Sequence, residues 1–406
     1  MSAVLASQAP RVLSGMRPTG LLHLGHYHGV LKNWVKLQTE YDCFFFVADW
    51  HALTTGYDTP QGLEEHAWNI VIDWIAAGID PNYSTLFIQS HVPQHAELMT
   101  LLSMITPLSW LERVPSYKDQ QEQLKDKDLS TYGFLGYPLL QSADILAYRA
   151  SFVPVGEDQV PHVELTREVA RRFNHLYGRE PGYEKLAEEA IKKLGRKNAQ
   201  LYRELRAAYT ERGEHEALER ARALLDRQKN ISLGDRERLY GFLEGGGKII
   251  LPEPQPLLTP SAKMPGLDGR KMSKSYDNAI SLRDPPKQVE EKLRTMPTDP
   301  ARVRRTDPGD PEKCPVWQFH LVYSDDATQS WVREGCTTAG IGCLDCKQRV
   351  IDAVLAELAP IQARATELAR DTATIRTIVG EGTRKAREAA EATLVEVRSV
   401  MGLGYR

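Results

Sequence analysis

The sequence predicts an α/β chain built on a doubly wound parallel sheet and extended by a mostly α-helical C-terminal region. Three observations carry that expectation. Strand-like and helix-like stretches alternate as far as Gly178, the pattern of repeated strand–helix–strand units. One of those strands, DCFFFVADW, is apolar without alternation, as a strand covered on both faces of a parallel sheet must be. From Gly182 the composition shifts to Ala, Leu, Glu, Lys and Arg with leucines at helical spacing, which reads as an added block of helices.

The elements follow in order. RVLSGM (residues 11–16) is the first strand, Pro18-Thr19-Gly20 a turn, and Val30, Leu31, Trp34, Val35 and Leu37 then recur at helical spacing. The second strand is DCFFFVADW, ended by Asp49. Thr59-Pro60 predicts a helix start, with an apolar pattern from Leu63 to Trp74 that Gly78 ends, and TLFIQS (Thr85 to Ser90) predicts a third strand. EGGGK and the proline-spaced LPEPQPLLTP (Leu251 to Pro260) read as a loop or linker, and beyond Ser281 the chain is again mostly helical. The boundaries drawn are 1–181 for the α/β part, 182–252 for a helical insertion, 253–282 for a loop region and 283–406 for the helical C-terminal part. Ligands of such sheets bind at the carboxyl ends of the strands, so polar residues just after strands are the first candidates.

Composition narrows the function classes. At one domain per ~150 residues, the 406 residues predict two or three domains. A chain 42% hydrophobic and 26% charged is neither disordered, collagen-like nor a coiled coil. Its longest apolar runs, near Cys43 to Ala48 and Ile75 to Ile79, fall far short of a membrane span. The opening MSAVLASQAP has neither a basic leader nor an apolar run of signal length, so a cytoplasmic address is expected. With 51 Lys and Arg against 54 Asp and Glu, the net charge is −3, and a polyanionic partner must be held by a local basic surface.

Two motifs carry the chemistry. The first, Pro18-Thr19-Gly20-Leu21-Leu22-His23-Leu24-Gly25-His26, lies between the first strand and the first helix, where a helix N-terminus favours an anion. Its imidazoles can donate to phosphate oxygens, and Gly25 lets a flat base or ribose approach the main chain. The second, Gly266-Leu267-Asp268-Gly269-Arg270-Lys271-Met272-Ser273-Lys274-Ser275, is a glycine-bearing loop. Its lysines can follow the migrating charge of a pyrophosphate leaving group.

Together and in this order, HLGH near the start and KMSKS far downstream resemble the two signature motifs of class I aminoacyl-tRNA synthetases. The resemblance implies a Rossmann-like, HUP-type catalytic domain that activates an amino acid with ATP and Mg2+ as an aminoacyl adenylate, then transfers it to the 3′ end of a tRNA. It implies catalytic roles for His23, His26, Lys271, Ser273 and Lys274. It places the nucleotide against these and against Arg17, Pro18, Thr19, Gly20, Gly25, Gly156, Glu157, Asp158, Met272 and Ser275, Arg17 standing where many family members have Gln. Such chemistry needs positioning and charge stabilisation rather than a covalent nucleophile.

The amino acid is read from further stretches. CFFFVADWHALTT, GYPLLQSADILAY, FVPVGEDQVPHVELTREVARRFN and the ending KAREAAEATLVEVRSVMGL resemble tryptophanyl-tRNA synthetases over nearly the whole chain except the insertion. Asp144, three residues after Gln141 on a helix, offers a carboxylate that can accept an indole N–H. A tyrosine hydroxyl could donate to the same group, and Gln141 stands where many tryptophanyl enzymes carry Met. Val153 and Val155 offer a branched apolar wall for a bicyclic ring. From the resemblance, Tyr137 and Gln159 hold the substrate ammonium, His51 lies near the ring, Gly15 lines the same pocket, and the C-terminal region 283–406 binds the tRNA anticodon, its last helix returning to the catalytic domain of a homodimer.

The cysteines are clustered as Cys314-x21-Cys336-x6-Cys343-x2-Cys346, and in a cytoplasmic chain, where lasting disulfides are disfavoured, this reads as a metal site. Zinc suits four thiolates, although only Cys343 and Cys346 form a close pair; a cubane iron–sulfur cluster fits the spacing at least as well. CPVWQFH and EGCTTAGIGCLDCK resemble the subgroup of tryptophanyl synthetases that carries a [4Fe-4S] cluster, with the first gap one residue shorter here. With the basic run Arg302-Val303-Arg304-Arg305 beside it, that resemblance implies a structural site with an influence on tRNA binding. The leading expectation is therefore a ligase for L-tryptophan and tRNA(Trp). Beside it stand a tyrosyl enzyme, a catalytically idle RNA-binding paralogue, and a small-molecule nucleotidyltransferase of the HxGH type.

Overall fold

The computed structural model describes residues 9–114, 130–179, 182–212, 214–244, 246–258 and 264–405. The opening MSAVLASQ, one glycine of EGGGK and the Thr259-Pro260 end of the linker lie outside them. The chain forms two units, one from 1–91 and 258–385, the other from 92–257 and 386–406.

In the first unit, β1 (Arg11–Met16), β2 (Asp42–Val47) and β3 (Ser84–Ile88) pair in parallel, with β2 between the other two. Every residue of β3 and all of β2 after Asp42 is buried, which is why DCFFFV lacks alternation. Between β1 and β2 the chain makes a helix that starts at Leu24–His26, loosens into a π-helical turn at Tyr27–Leu31 and continues as Lys32–Leu37. Its Trp34 stacks on Phe45 of β2 with ring centres 4.2 Å apart, and Trp74 meets Trp34 edge-on at 5.2 Å. Parallel strands need such a crossover element.

Two expectations shift at their ends. The second crossover helix begins at Leu63 rather than at Thr59-Pro60, because Gly62 turns left-handed (φ 80°) immediately before it. TLFIQS is a strand only to Ile88; Gln89–His91 form a 3-10 turn, where the Asp49 carboxylate accepts the Ser90 N–H at 3.0 Å.

The C-terminal helices of this unit are Pro286–Thr295, Pro315–Tyr323, Asp326–Thr337 and the long Cys343–Arg370. The long helix is fastened at both ends by cationic side chains on orphan helix-end carbonyls. Lys347 donates to Arg294 and Met296, each at 2.6 Å, and Arg364 donates to Ala76 at 2.7 Å. Midway, Glu357 takes hydrogen bonds from His28 of the π-helical turn and from Tyr323.

The second unit contains the helix Tyr132–Ala147, β4 (Phe152–Val155), the helix Val160–Tyr177 and four insertion helices between Tyr183 and Leu243. The insertion has its own core around Tyr202, Leu225, Leu239 and Leu243. The proline-spaced linker is not wholly a loop: Gln255–Leu258 is β5, and Gln255 donates to the Ser151 carbonyl at 2.9 Å. Prolines flank Gln255 without removing its own N–H, as edge strands tolerate. Arg398 closes on Glu97 with two bonds of 2.5 and 2.6 Å, and Arg149 and Lys248 both pair with Glu396, so the end of the helix Thr372–Val400 is tied into this unit. Among the described residues no helix is long and apolar enough to cross a membrane.

The stacked Trp34 predicts its own cost of removal. Trp34→Ala should lower unfolding free energy by about 3–5 kcal/mol, read from urea titration; a change under ~1 kcal/mol would mean that this ring is not central to the packing.

Candidate active site

The HLGH turn closes on itself through its imidazoles. His23 Nδ1 accepts the Gly25 N–H at 3.1 Å, His26 Nδ1 accepts the His23 N–H at 3.3 Å, and the rings lie 3.8 Å apart. With both Nδ1 atoms serving as acceptors, a neutral ring carries its proton on Nε2. Burial, reinforced by the nearby Lys274 charge, holds His23 at about 4. Burial, then His23, Lys274 and Lys271, holds His26 at about 3. At neutral pH the pair therefore offers two N–H donors without charge. A Cβ at Gly25 would lie 2.9 Å from the His23 ring, so the missing side chain serves this cap.

The downstream loop meets this turn within the same unit. Leu24 N–H donates to Ile280 at 3.0 Å, Leu282 N–H donates to Leu22 at 2.9 Å, and His23 and Ser281 form an antiparallel bridge. Lys274 Nζ reaches the Thr19 carbonyl at 3.3 Å, and Met272 Cβ lies 3.5 Å from where a Gly25 Cβ would stand. Although the Lys274 side chain is exposed overall, desolvation of its ammonium pulls it below the usual lysine value, with the Asp73 carboxylate opposing. Arg17, Thr19 and Lys271 are exposed, while Pro18 and Met272 are buried.

Two residues that sequence reasoning passed over organise the meeting. Asn278, 2% exposed, accepts the Ser273 N–H at 2.8 Å and donates to Asp268 at 2.7 Å, so the loop turns around an amide. Asp73, fully buried, accepts the Leu22 N–H at 3.2 Å and the Arg283 guanidinium at 2.5 Å, while Arg283 also holds the Asn69 side chain and carbonyl. Burial pushes Asp73 up and Arg283 opposes it. Removing one member of such a buried pair costs about 3–5 kcal/mol. No short motif marks Asp73, whose Arg283 partner lies 210 positions away, and Asn278 owes its role to burial inside its own loop.

The amino-acid candidates fall in both units. Gly15 and His51 belong to the first; Tyr137, Gln141, Asp144, Val153, Val155 and Gln159 belong to the second, as do the nucleotide candidates Gly156, Glu157 and Asp158. Asp144 is 1% exposed, so its carboxylate is out of solvent. Its Oδ1 lies 2.6 Å from His95 Nδ1, and His95 Nε2 lies 2.7 Å from the Tyr148 hydroxyl, all three side chains being buried. Such a chain fixes the carboxylate's orientation. Nothing in VPQHAEL signalled His95. Tyr137 packs against His162 at 5.5 Å, Gln141 is half-buried, Val153 and Val155 are buried, and Glu157 and Asp158 are exposed.

The four clustered cysteines come together. Cys314, Cys336, Cys343 and Cys346 line one small pocket, together with Thr298, Arg302, Val316 and Ile341. Burial pushes Cys346 up to about 12, the other three thiols adding to it and Arg302 opposing. Among the described residues no group of three or more His, Cys, Asp or Glu stands so as to hold a single metal ion. His320 Nε2 lies 3.2 Å from Cys346 Sγ. Arg302, expected within a basic surface run, is instead only 9% exposed, with Arg304 and Arg305 remaining outside.

Comparison with known proteins agrees with this geometry. The profile of the family described as "tRNA synthetases class I (W and Y)" matches residues 6–192 and 221–359. The tryptophan–tRNA ligase of Ralstonia nicotianae is 68% identical over 97% of this chain and 99% of its own, and that of Thermotoga maritima 45% identical over 97% and 100%. The tryptophanyl-tRNA synthetase of Campylobacter jejuni, solved with ADP and tryptophan, superposes with a TM-score of 0.73 at 26% identity, over 97% of this chain and 100% of its own. A parallel-sheet catalytic fold with two signature motifs meeting in one unit, matched along the whole chain in this way, makes the protein a member of the class I aminoacyl-tRNA synthetases, in the tryptophan–tRNA ligase family.

Proposed function

We infer that the protein activates L-tryptophan with ATP and transfers it to tRNA(Trp). The observation that carries this reading is the backbone bridge that sets Lys274 and the two imidazoles in one place. In the first step the tryptophan carboxylate attacks the α-phosphorus of ATP, the bond to the β-phosphate oxygen breaks, and pyrophosphate leaves. In the second, a hydroxyl of the terminal adenosine attacks the acyl carbon and AMP leaves.

The residues divide the work as their chemistry allows. His23 and His26 donate from neutral Nε2 to phosphate oxygens, which orients the nucleotide without fixing charge on it. Lys271 and Lys274 follow the negative charge onto the departing pyrophosphate, where preorganised cations act most strongly. Ser273 donates from its hydroxyl, and Arg17, Pro18, Thr19, Gly20, Gly156, Glu157, Asp158, Met272 and Ser275 complete the nucleotide's surroundings. Mg2+ enters with the phosphates.

Asp144, held by His95, accepts the indole N–H, and the buried Val153 and Val155 form the wall of the ring pocket. On the family resemblance, Gly15, His51 and Gln141 belong to the tryptophan site, and Tyr137 and Gln159 take the substrate ammonium. A substrate lacking an N–H donor forgoes this hydrogen bond to the buried carboxylate, which is a basis for rejecting it.

The reading of Cys314, Cys336, Cys343 and Cys346 as ligands of a [4Fe-4S] cluster rests on the subgroup resemblance, and their shared pocket supports it. Bound there, the cluster would cross-link the segments that carry them. Region 283–406 reads the tRNA anticodon. The homodimer and the cytoplasmic address rest on the family resemblance.

Pyrophosphate exchange tests the assignment: tryptophan should support it at least ~10³-fold better than tyrosine, and a preference for tyrosine would reverse the specificity. Asp144→Ala should raise the KM for tryptophan by about 100-fold, the worth of a hydrogen bond to a charged group, with the KM for ATP within twofold. A third expectation concerns acid. Unfolded histidine titrates at 6.5 and the folded His23 and His26 at about 4 and 3. Their contribution is therefore complete above pH 6.5 and is lost as pH falls through 4 and then 3, because the unfolded chain takes up the protons first. The urea midpoint should drop across that window, and His26→Gln should flatten part of the drop; an equal slope in both proteins would contradict it.

A further inference from the structure

A third imidazole stands beside the two motifs, outside both signatures. His66 lies in the first turn of the second crossover helix (Leu63–Ala76) and is half-buried. A Cβ at Gly20 would fall 3.0 Å from Lys274 Nζ and 3.9 Å from His66 Nε2. The ammonium of the lysine loop and this imidazole nitrogen therefore converge on the turn that leads into HLGH. Gly20 permits the approach: its φ of 111° lies in the left-handed region, and a side chain there would crowd the lysine.

The helix is held so that the ring stays at that turn. His66, Asn69 and Asp73 stand at i, i+3 and i+7 and so share one face. Asn69 and Asp73 both bind Arg283, and Asp73 also accepts the Leu22 N–H. That face is thus pinned to both sides of the backbone bridge that joins the motifs. Nearer the helix start the same face carries His66, whose ring lies over Gly62: a Cβ there would fall 3.4 Å from His66 Cε1. Among the described residues the ring makes no hydrogen bond or ion pair.

The ligand chemistry follows from the neighbours. Imidazole donates from Nε2 when charged, and also in the neutral tautomer that carries its proton there. Beside an ammonium, such a donor suits an anion. The anion that the lysine loop meets during the reaction is the pyrophosphate part of ATP. Donors set this close can be bridged by the oxygens of one phosphate group.

We propose that His66 is a further binding residue for the β- and γ-phosphates of ATP, donating from Nε2 beside Lys274 to the pyrophosphate that leaves. This rests on the ligase reading above and deepens it. His23 and His26 hold the nucleotide from the first motif, and His66 holds the leaving group from the helix that clamps both motifs together.

Pyrophosphate exchange on the full-length protein tests the role. The variants are His66→Phe and His66→Ala, which remove the donor with and without keeping a ring over Gly62, and His66→Gln, which returns an N–H near the place of Nε2. KM is measured for ATP, pyrophosphate and tryptophan, with inhibition by AMP alongside and the urea midpoint as the report on folding. Loss of one hydrogen bond to a charged group should raise the KM for ATP and for pyrophosphate at least ~10-fold in the Phe and Ala variants. The KM for tryptophan and the inhibition constant of AMP, which lacks both phosphates concerned, should stay within about twofold. His66→Gln should recover most of the loss. Unchanged KM values for ATP and pyrophosphate in Phe and Ala variants overturn the role of His66 and leave the ligase reading standing. A rise shared equally by AMP and tryptophan, or a Gln variant no better than Phe, overturns it too, because a disturbed fold would do the same. Wild type without exchange for any amino acid overturns the ligase reading, and the proposal with it.

Discussion

The structure depends on a short piece of backbone pairing. Leu22 and Leu24, on either side of His23, exchange main-chain hydrogen bonds with Leu282 and Ile280. This fixes the start of the first helix against the strand leaving the lysine loop. Main-chain pairing sets register without regard to side-chain identity, so the distance between imidazoles and lysines is not left to flexible side chains. Asp73 strengthens the junction from beneath, its carboxylate taking one bond from each strand of the pair, at Leu22 and at Arg283.

Much of this was legible in the sequence, for identifiable reasons. Unbroken apolar runs such as CFFFV report burial on both faces, and those strands were found with only their ends misplaced. Glycines that set helix ends are also readable; Gly78 stops its helix as expected, while Gly62 moves a start past Thr59-Pro60. The signature motifs announced themselves because chemistry restricts both their residue types and their spacing. The supports did not: His95, Asn278, Asp73 and Arg302 act through partners distant in sequence, or through burial that no local pattern encodes. The proline-rich linker was misread in part, since prolines usually mean loops and the surviving N–H of Gln255 is what makes a strand there.

A common feature links these hidden residues. Each is a polar or charged group taken out of water and met by a specific partner. Asp144 is met by His95, Asp73 by Arg283 and a main-chain N–H, and Asn278 by the turns of its own loop. Buried pairs of this sort add little net stability compared with apolar packing. What they supply is direction: a carboxylate that cannot rotate, a loop that folds one way. In the long helix Cys343–Arg370 the same economy joins distant places, with Cys346 at its start, Glu357 midway under the π-helical turn, and Arg364 on the end of the second crossover helix.

The convergence of both motifs on one nucleotide is tested most directly by a crystal structure grown with a non-hydrolysable ATP analogue and Mg2+ near neutral pH. The account predicts phosphate oxygens within hydrogen-bond reach of His26 Nε2 and Lys274 Nζ together. An analogue bound with its phosphates against one of these groups and out of reach of the other would contradict it.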